Sequence, residues 1–400
     1  MPHRSLRWLG ILAAAAVLAA AGGALAGAHG GRPNVYTQRN LVSDIAGVAR
    51  ITDRNLVNPW GLAFGPTTPA WVADNGTDLS TLYPGAVRGS IPTKLALEVS
   101  IPGGAPTGVV FNATTGFMLG SAPALFIFDS EAGTITAWNG GTSAQTVATT
   151  PGAIYKGLAI ADNGGRTFLY AANFHAGTID VFDDAFAPAT LSGHFTDPNL
   201  PAGFAPFNIQ EIGGKLYVAY AKQDADAEDE VAGPGLGYVD VYDTSGNLLK
   251  RFASQGALNA PWGLTLAPRH FGAFGGDLLV GNFGDGVINA YDRRTGQFQG
   301  SLRNDDGNVI AIDGLWALRF GNGTDRHAAH AAVHRRHRRR GARPVRLHRG
   351  GEEPRRLSAR PAFSEPFAPG GELLSGPQRE GAISCHASRR CWRRWRPPPS

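Results

Sequence analysis

Asn58, Lys156, Asn208, Asn259 and Asp313 stand at the same place in successive copies of one short motif, and all are side chains that bind or catalyse. Asn and Asp oxygens suit a hard cation, calcium above all. Asn208 and Asp313 are therefore the candidate metal ligands, calcium is the candidate cofactor, and all five are candidate ligand-binding residues. A hydrolytic calcium site would want more carboxylate than this set provides, and the same Asn and Asp side chains equally serve as turn caps. No residue is assigned a catalytic role.

A second polar group follows a later strand of each copy: Asp74, Asn75 and Asp78 in VADNGTD, Asn173 and His175 in AANFHAGT, Asn282 and Asp285 in GNFGDG. Their recurrence fits turn chemistry that every copy needs. The stretch KQDADAEDEVAGPG (222–235) is an acidic insertion carrying Asp224, Asp226, Glu228, Asp229 and Glu230. Such a loop is normally solvated, and it lacks the spaced D-x-D-x-D-G pattern of a dedicated calcium loop. No G-x-S-x-G elbow, P-loop, dinucleotide fingerprint or zinc motif is written in the chain.

The elements that must position these residues repeat. NPWGLAF, APTGVVF, IYKGLAI, APFNIQEI, APWGLTL and GLWALRF align on Trp60, Thr107, Lys156, Phe207, Trp262 and Trp316, a period near fifty. Each copy opens a run of strand-like segments with Gly- and Asp-bearing turns, and IDVFD, VDVYD and INAYD alternate as half-buried strands do. A period of that length with four strands per unit predicts a propeller blade. Six copies predict an all-β, six-bladed β-propeller over 33–323. Residues 36–46 are expected to add a strand that closes the ring onto the last blade. In the motif, Pro opens a strand where no ladder N–H is needed, and Gly allows close backbone approach near the axis. Trp60 and Trp262 read as wedges between blades or, alternatively, as ligand contacts.

The NPWGLAFGPTTPAWVADNGT and GTIDVFD patterns resemble NHL-type six-bladed propellers. NPWGLA, YKGLAIA–LYAANF–GTIDVFD and LLVGNFGDG–INAYD are similar to a family of exported bacterial conserved hypothetical proteins. That resemblance implies fold and export, and little chemistry. Calcium-dependent lactonases, also six-bladed, place metal ligands near blade openings. IDGLWAL with Asp313 and PFNIQ with Asn208 are similar in placement, which implies a calcium-dependent lactonase-like hydrolase as the alternative function.

Residues 1–26 read as a signal peptide: Arg4 and Arg7, a small-residue apolar run, and the A-x-A site Ala24-Leu25-Ala26. The expected location is secreted or periplasmic. The formal charge of +5 misleads, because 18 Arg, no Lys and six acidic residues follow Gly323. Of 37 basic and 32 acidic residues the rest of the chain keeps 19 and 26, a balance of −7, which argues against nucleic acid as a partner. Residues 324–400, which hold both cysteines, Cys385 and Cys391, read as a shifted frame or a disordered Arg-rich tail. Read from the second base of each codon, residues 327–354 permit strand-like TLQFTAG and GLFGSI, the strands an incomplete sixth blade lacks. The alternative is a basic tail that binds polyanions. His327, His330, His334 and His337 imitate metal spacing, but lie among arginines that repel a cation.

The function expected from this reading is a monomeric, non-catalytic, extracytoplasmic scaffold binding an unknown protein or carbohydrate.

Overall fold

A computed structural model describes residues 33–85 and 90–322. The chain divides into Met1–Arg340 and Gly341–Ser400, and every described residue belongs to the first unit. The readings of a signal peptide at 1–26 and of a frameshifted tail from 324 lie outside the described residues. Among those residues no helix is long and apolar enough to cross a membrane.

The architecture is all-β, a propeller arrangement with five antiparallel blades. The first is Pro59–Ala63, Ala70–Asp74, Leu79–Tyr83 and Glu98–Ser100; the second is Pro106–Phe111, Phe126–Ser130, Thr134–Trp138 and Gln145–Thr149. The third has three strands, Tyr155–Asn163, Arg166–Asn173 and Thr178–Phe182. Phe204–Glu211, Leu216–Gln223, Tyr238–Tyr242 and Leu248–Ser254 make the fourth, with Glu230–Val231 paired onto Lys222 and Gln223. The fifth is Pro261–Leu266, Leu278–Asn282, Ile288–Tyr291 and Phe298–Ser301.

The repeated motif forms the first strand of each blade. Every one of these strands carries a register shift at the aligned position: between Pro59 and Leu62, Tyr155 and Leu158, Pro206 and Asn208, Pro261 and Gly263, and opposite Phe128/Ser130 in the second blade. A bulge frees one residue from the ladder and re-aims its side chain. The motif glycine sits in the bulge and touches the next copy. A Cβ on Gly61 would lie 2.6 Å from the Thr107 carbonyl oxygen, on Gly108 2.4 Å from the Leu158 nitrogen, and on Gly263 2.6 Å from the Trp316 carbonyl oxygen. Those distances exclude any side chain, so close approach is what the glycine supplies. Ahead of the strands, Asn58, Ala105 and Ala260 take left-handed φ of 47°, 45° and 44°, each directly before a proline.

The sixth copy, residues 314–320, pairs with no strand. It still lies between the fifth blade and the first: Gly263 abuts Trp316, the Arg319 Nε donates to the Leu62 carbonyl at 3.1 Å, and the Asn322 Nδ2 donates to the Gly65 carbonyl at 2.7 Å. Ile310, Ile312, Leu315 and Leu318 join the apolar face of the fifth blade.

Residues 36–46 add no strand to the last blade, against expectation. Val42–Ser43 pairs in parallel with Ile51–Thr52. Closure is a tether instead: the Tyr36 N–H donates to the Arg303 carbonyl at 2.8 Å, and its ring stacks on Phe271 at 4.7 Å. One hydrogen bond and a stacked ring require less extended sequence than a ladder does.

The third strands are not half-buried throughout. Tyr238–Tyr242 and Ile288–Tyr291 are buried at every position, because both faces of a blade pack on neighbours. Their polar residues are satisfied internally: Asp240 by Arg251, and Asn289 through its Nδ2 to the Ala257 carbonyl. Trp71 stacked on Phe126 at 4.1 Å shows the same packing between the first two blades.

One buried carboxylate makes stability pH-dependent. The Thr107 hydroxyl and the Gly108 N–H both donate to Asp129 Oδ1, while Oδ2 has no partner among the described residues. Burial pushes the carboxyl up to about 6 against these donors. Because the folded value lies above the unfolded one, the folded state binds the extra proton, and stability falls as pH rises from about 4 to about 6. The loss is on the order of 3 kcal/mol. Asp129→Asn is expected to flatten urea-unfolding free energies across that window; an unchanged pH slope overturns the assignment.

Candidate functional site

The bulges turn the aligned residues toward one another. Trp60 stacks on Trp316 with centroids 3.5 Å apart and planes 18° apart. Trp262 meets both edge-on, at 6.3 and 5.7 Å. Phe207 lies 5.8 Å from Trp316. Lys156 is buried among them, 1% exposed, its Nζ 5.3 Å from the Trp60 ring centre. The indole N–H of Trp262 donates to the Lys156 carbonyl at 2.8 Å. The aligned positions of four different blades and the 314–320 segment thus form one aromatic floor around a lysine.

A second tier lies over it, built by the residue that follows the second strand. Asn75, Glu131, Phe174 and Phe283 each donate their backbone N–H to the carbonyl two residues before the aligned position, at Asn58, Ala105, Ile154 and Ala260. Phe283 stacks on Trp316 at 4.2 Å, and Phe174 faces the Lys156 ammonium at 5.8 Å.

Polar side chains of the two tiers form one chain of contacts. The Trp316 Nε1 donates to Asn58 Oδ1 at 3.3 Å, Asn58 Nδ2 to Asn75 Oδ1 at 2.9 Å, and Asn75 Nδ2 to Glu131 Oε2 at 3.0 Å. The Lys156 Nζ then donates to Glu131 Oε1 at 2.5 Å and reaches Asp229 Oδ1 at 3.4 Å. Burial alone would lower the lysine, but Glu131, Glu230 and Asp229 outweigh it and hold the ammonium above its ordinary value. Lys156 is a permanent cation at neutral pH, not a nucleophile.

The acidic insertion, read from sequence as a solvated loop, lies across this mouth as a strap. The Asp229–Lys156 contact, His175 Nδ1 against the Ala227 carbonyl at 3.2 Å, and the short pairing of Glu230–Val231 hold it there.

The five sequence candidates have separate fates. Asn58 and Lys156 belong to the contact chain. Asn208 is buried and donates to the Trp262 carbonyl at 2.7 Å, joining the fourth blade to the fifth. Asn259 accepts from the Gly233 N–H at 2.7 Å and donates to Asp285 at 3.2 Å, tying the base of the insertion to the fifth blade. Asp313 lies on an exposed loop. Among the described residues no group of three or more His, Cys, Asp or Glu is arranged to hold a metal ion. Sequence reasoning missed Glu131, Phe174 and Phe283. Aligning the repeats after their second strands, as well as on the opening motif, would have placed them in register.

No family model matches the chain. It is 34% identical to the uncharacterized protein R648 of Acanthamoeba polyphaga mimivirus over 298 residues, 70% of this chain and 72% of R648. It is also 34% identical to the uncharacterized protein L690 of the same virus over 297 residues, 70% of this chain and 77% of L690. Among solved structures, the nidogen/laminin complex matches 63% of this chain and 82% of the compared chain, at 13% identity and a TM-score of 0.41. A putative gluconolactonase matches 49% and 63%, at 17% identity and a TM-score of 0.35.

Proposed function

The chain belongs to one family with the mimivirus proteins R648 and L690, and from that premise we propose that it is an exported, monomeric, non-catalytic binding propeller whose contact surface is the Lys156 mouth. The ligand is a protein or a carbohydrate; the mildly acidic charge of the chain up to Gly323 disfavours nucleic acid. One observation carries the reading: the polar side chains from Trp316 through Asn58, Asn75 and Glu131 to Lys156 are bonded to one another. A mouth so joined has shape and charge to recognise a partner, and its lysine is held cationic rather than poised for proton transfer. The lactonase alternative would use Asn208 and Asp313, but the amide of the first is engaged by Trp262 and the second lies on an exposed loop.

Six blades are part of the proposal. A cavity on the axis is lined from all six motif copies, by Gly61, Gly108, Leu158, Asn208, Leu264 and Leu318 among others, which supports a sixth blade at 314–320 whose remaining strands fall after residue 322. Export rests on the Arg4/Arg7 and Ala24–Ala26 pattern, and kinship with exported bacterial proteins rests on the shared motifs.

The test has two arms. γ- and δ-lactones with calcium chloride are expected to show no turnover above buffer; calcium-dependent turnover abolished by Asp313→Ala would establish the enzyme instead. Labelled protein on glycan and peptide arrays is expected to be retained by at least one ligand class and to lose most retention with Lys156→Met. Equal retention by the variant places binding elsewhere.

A further inference from the structure

Beyond the aromatic floor, the second halves of the inner segments wall the axial cavity: Gly61–Leu62, Gly108–Val109, Leu158, Asn208, Gln210, Leu264 and residues 317–319. The wall is mostly apolar or glycine backbone, with one cation, Arg319. Its Nε donates to the Leu62 carbonyl at 3.1 Å. Among the described residues no carboxylate lies at ion-pair distance from it, although every other buried or half-buried cation named above has one: Lys156 has Glu131, and Arg251 has Asp197 and Asp240.

Burial draws the Arg319 pKa down, to about 10, and Glu211 is the negative charge whose field opposes that. Glu211 does not reach it: its Oε1 accepts from the Gly214 N–H at 2.7 Å. A guanidinium remains charged at neutral pH even so, and a charge in apolar surroundings is costly without a counter-ion. Gln210 and Arg319 are both half-buried, so this part of the cavity is open to solvent. About 20 Å³ is free for the centre of a water-sized atom. That is room for one small guest and too little for a phosphate.

We propose that the axial cavity binds one small monovalent anion of chloride size, held on the outer N–H groups of Arg319 and walled by Gln210 and the inner strands. The site is independent of the Lys156 mouth, so either can fail without the other.

The test uses the full chain, with sodium chloride replacing sodium gluconate from 0 to about 200 mM at fixed ionic strength. Chloride, bromide and nitrate are expected to raise the Tm saturably by about 3–6 °C. Sulfate should give no saturable step. Arg319→Met should abolish the saturable shift, and Lys156→Met should keep it. A shift of the same size in Arg319→Met, or none in the wild type, overturns the proposal. Should Arg319→Met fail to fold, chloride-35 line broadening by the wild type decides: broadening reversed by bromide supports the site, and its absence removes it.

Discussion

Trp316→Ala is expected to cost about 4–5 kcal/mol, the upper part of the range for a buried tryptophan. Trp316 is 2% exposed and touches Trp60, Trp262, Phe207 and Phe283, so the truncation opens a void that four aromatic rings cannot close without moving. It also strips Asn58 Oδ1 of its indole donor. For a domain of this size the Tm should fall by roughly 10–15 °C. Trp316→Phe keeps ring packing and should lose less than half as much. Calorimetry or urea unfolding followed by tryptophan emission measures both. A cost below about 2 kcal/mol would mean that residues 314–320 are not part of the cooperative fold, and that the five blades stand without them.

Arg251→Ala should be nearly as damaging, by about 3–5 kcal/mol, for an electrostatic reason. The guanidinium bridges two buried carboxylates, Asp197 and Asp240, and lies 4.8 Å from the Tyr238 ring centre. Burial already pushes the Asp240 carboxyl up to about 7. The Arg251 contact favours its charged form, and removing it drives the folded-state pKa higher still. The sign follows: the raised folded pKa makes the variant lose stability as pH rises from about 4 through neutrality. The deficit should be small near pH 4.5 and largest near pH 8. Arg251→Ala combined with Asp240→Asn should recover part of the loss at pH 8, because one of the two uncompensated charges is gone. A deficit independent of pH, with no recovery in the double variant, would show that the packing of the arginine stem is what matters.

Much of the fold was legible because the repeat writes its geometry into residue types. Proline, the aligned residue and glycine mark the inner strand, and the glycine distances show why no other residue fits. The bulge was not legible, since nothing in PWGL separates a bulged strand from a regular one. Without it, the aligned Trp residues read as wedges between blades rather than as a shared floor. The alternation in VDVYD suggested a wet face, because sequence period reports which side chains differ and not whether a second sheet covers the polar ones. Lys156 was visible as an exception to the motif, yet its partners were not: Glu131 and Asp229 come from 25 and 73 residues away. Asn208 and Asp313 looked alike as oxygen donors, and only burial distinguishes a clasp between blades from a residue on an exposed loop.

The aligned position carries Trp, Thr, Lys, Phe, Trp and Trp in turn, and most of these side chains meet at one centre. In a linear repeat array each unit answers only to its two neighbours, so units can be copied, deleted or shuffled. Here they are not interchangeable. A copy of the third unit placed anywhere else would bring a second lysine to a centre with one matched Glu131. A second first unit would bring a fourth tryptophan to a floor already closed. Duplication can have built this chain, but the centre now fixes how many units it holds and in what order they stand.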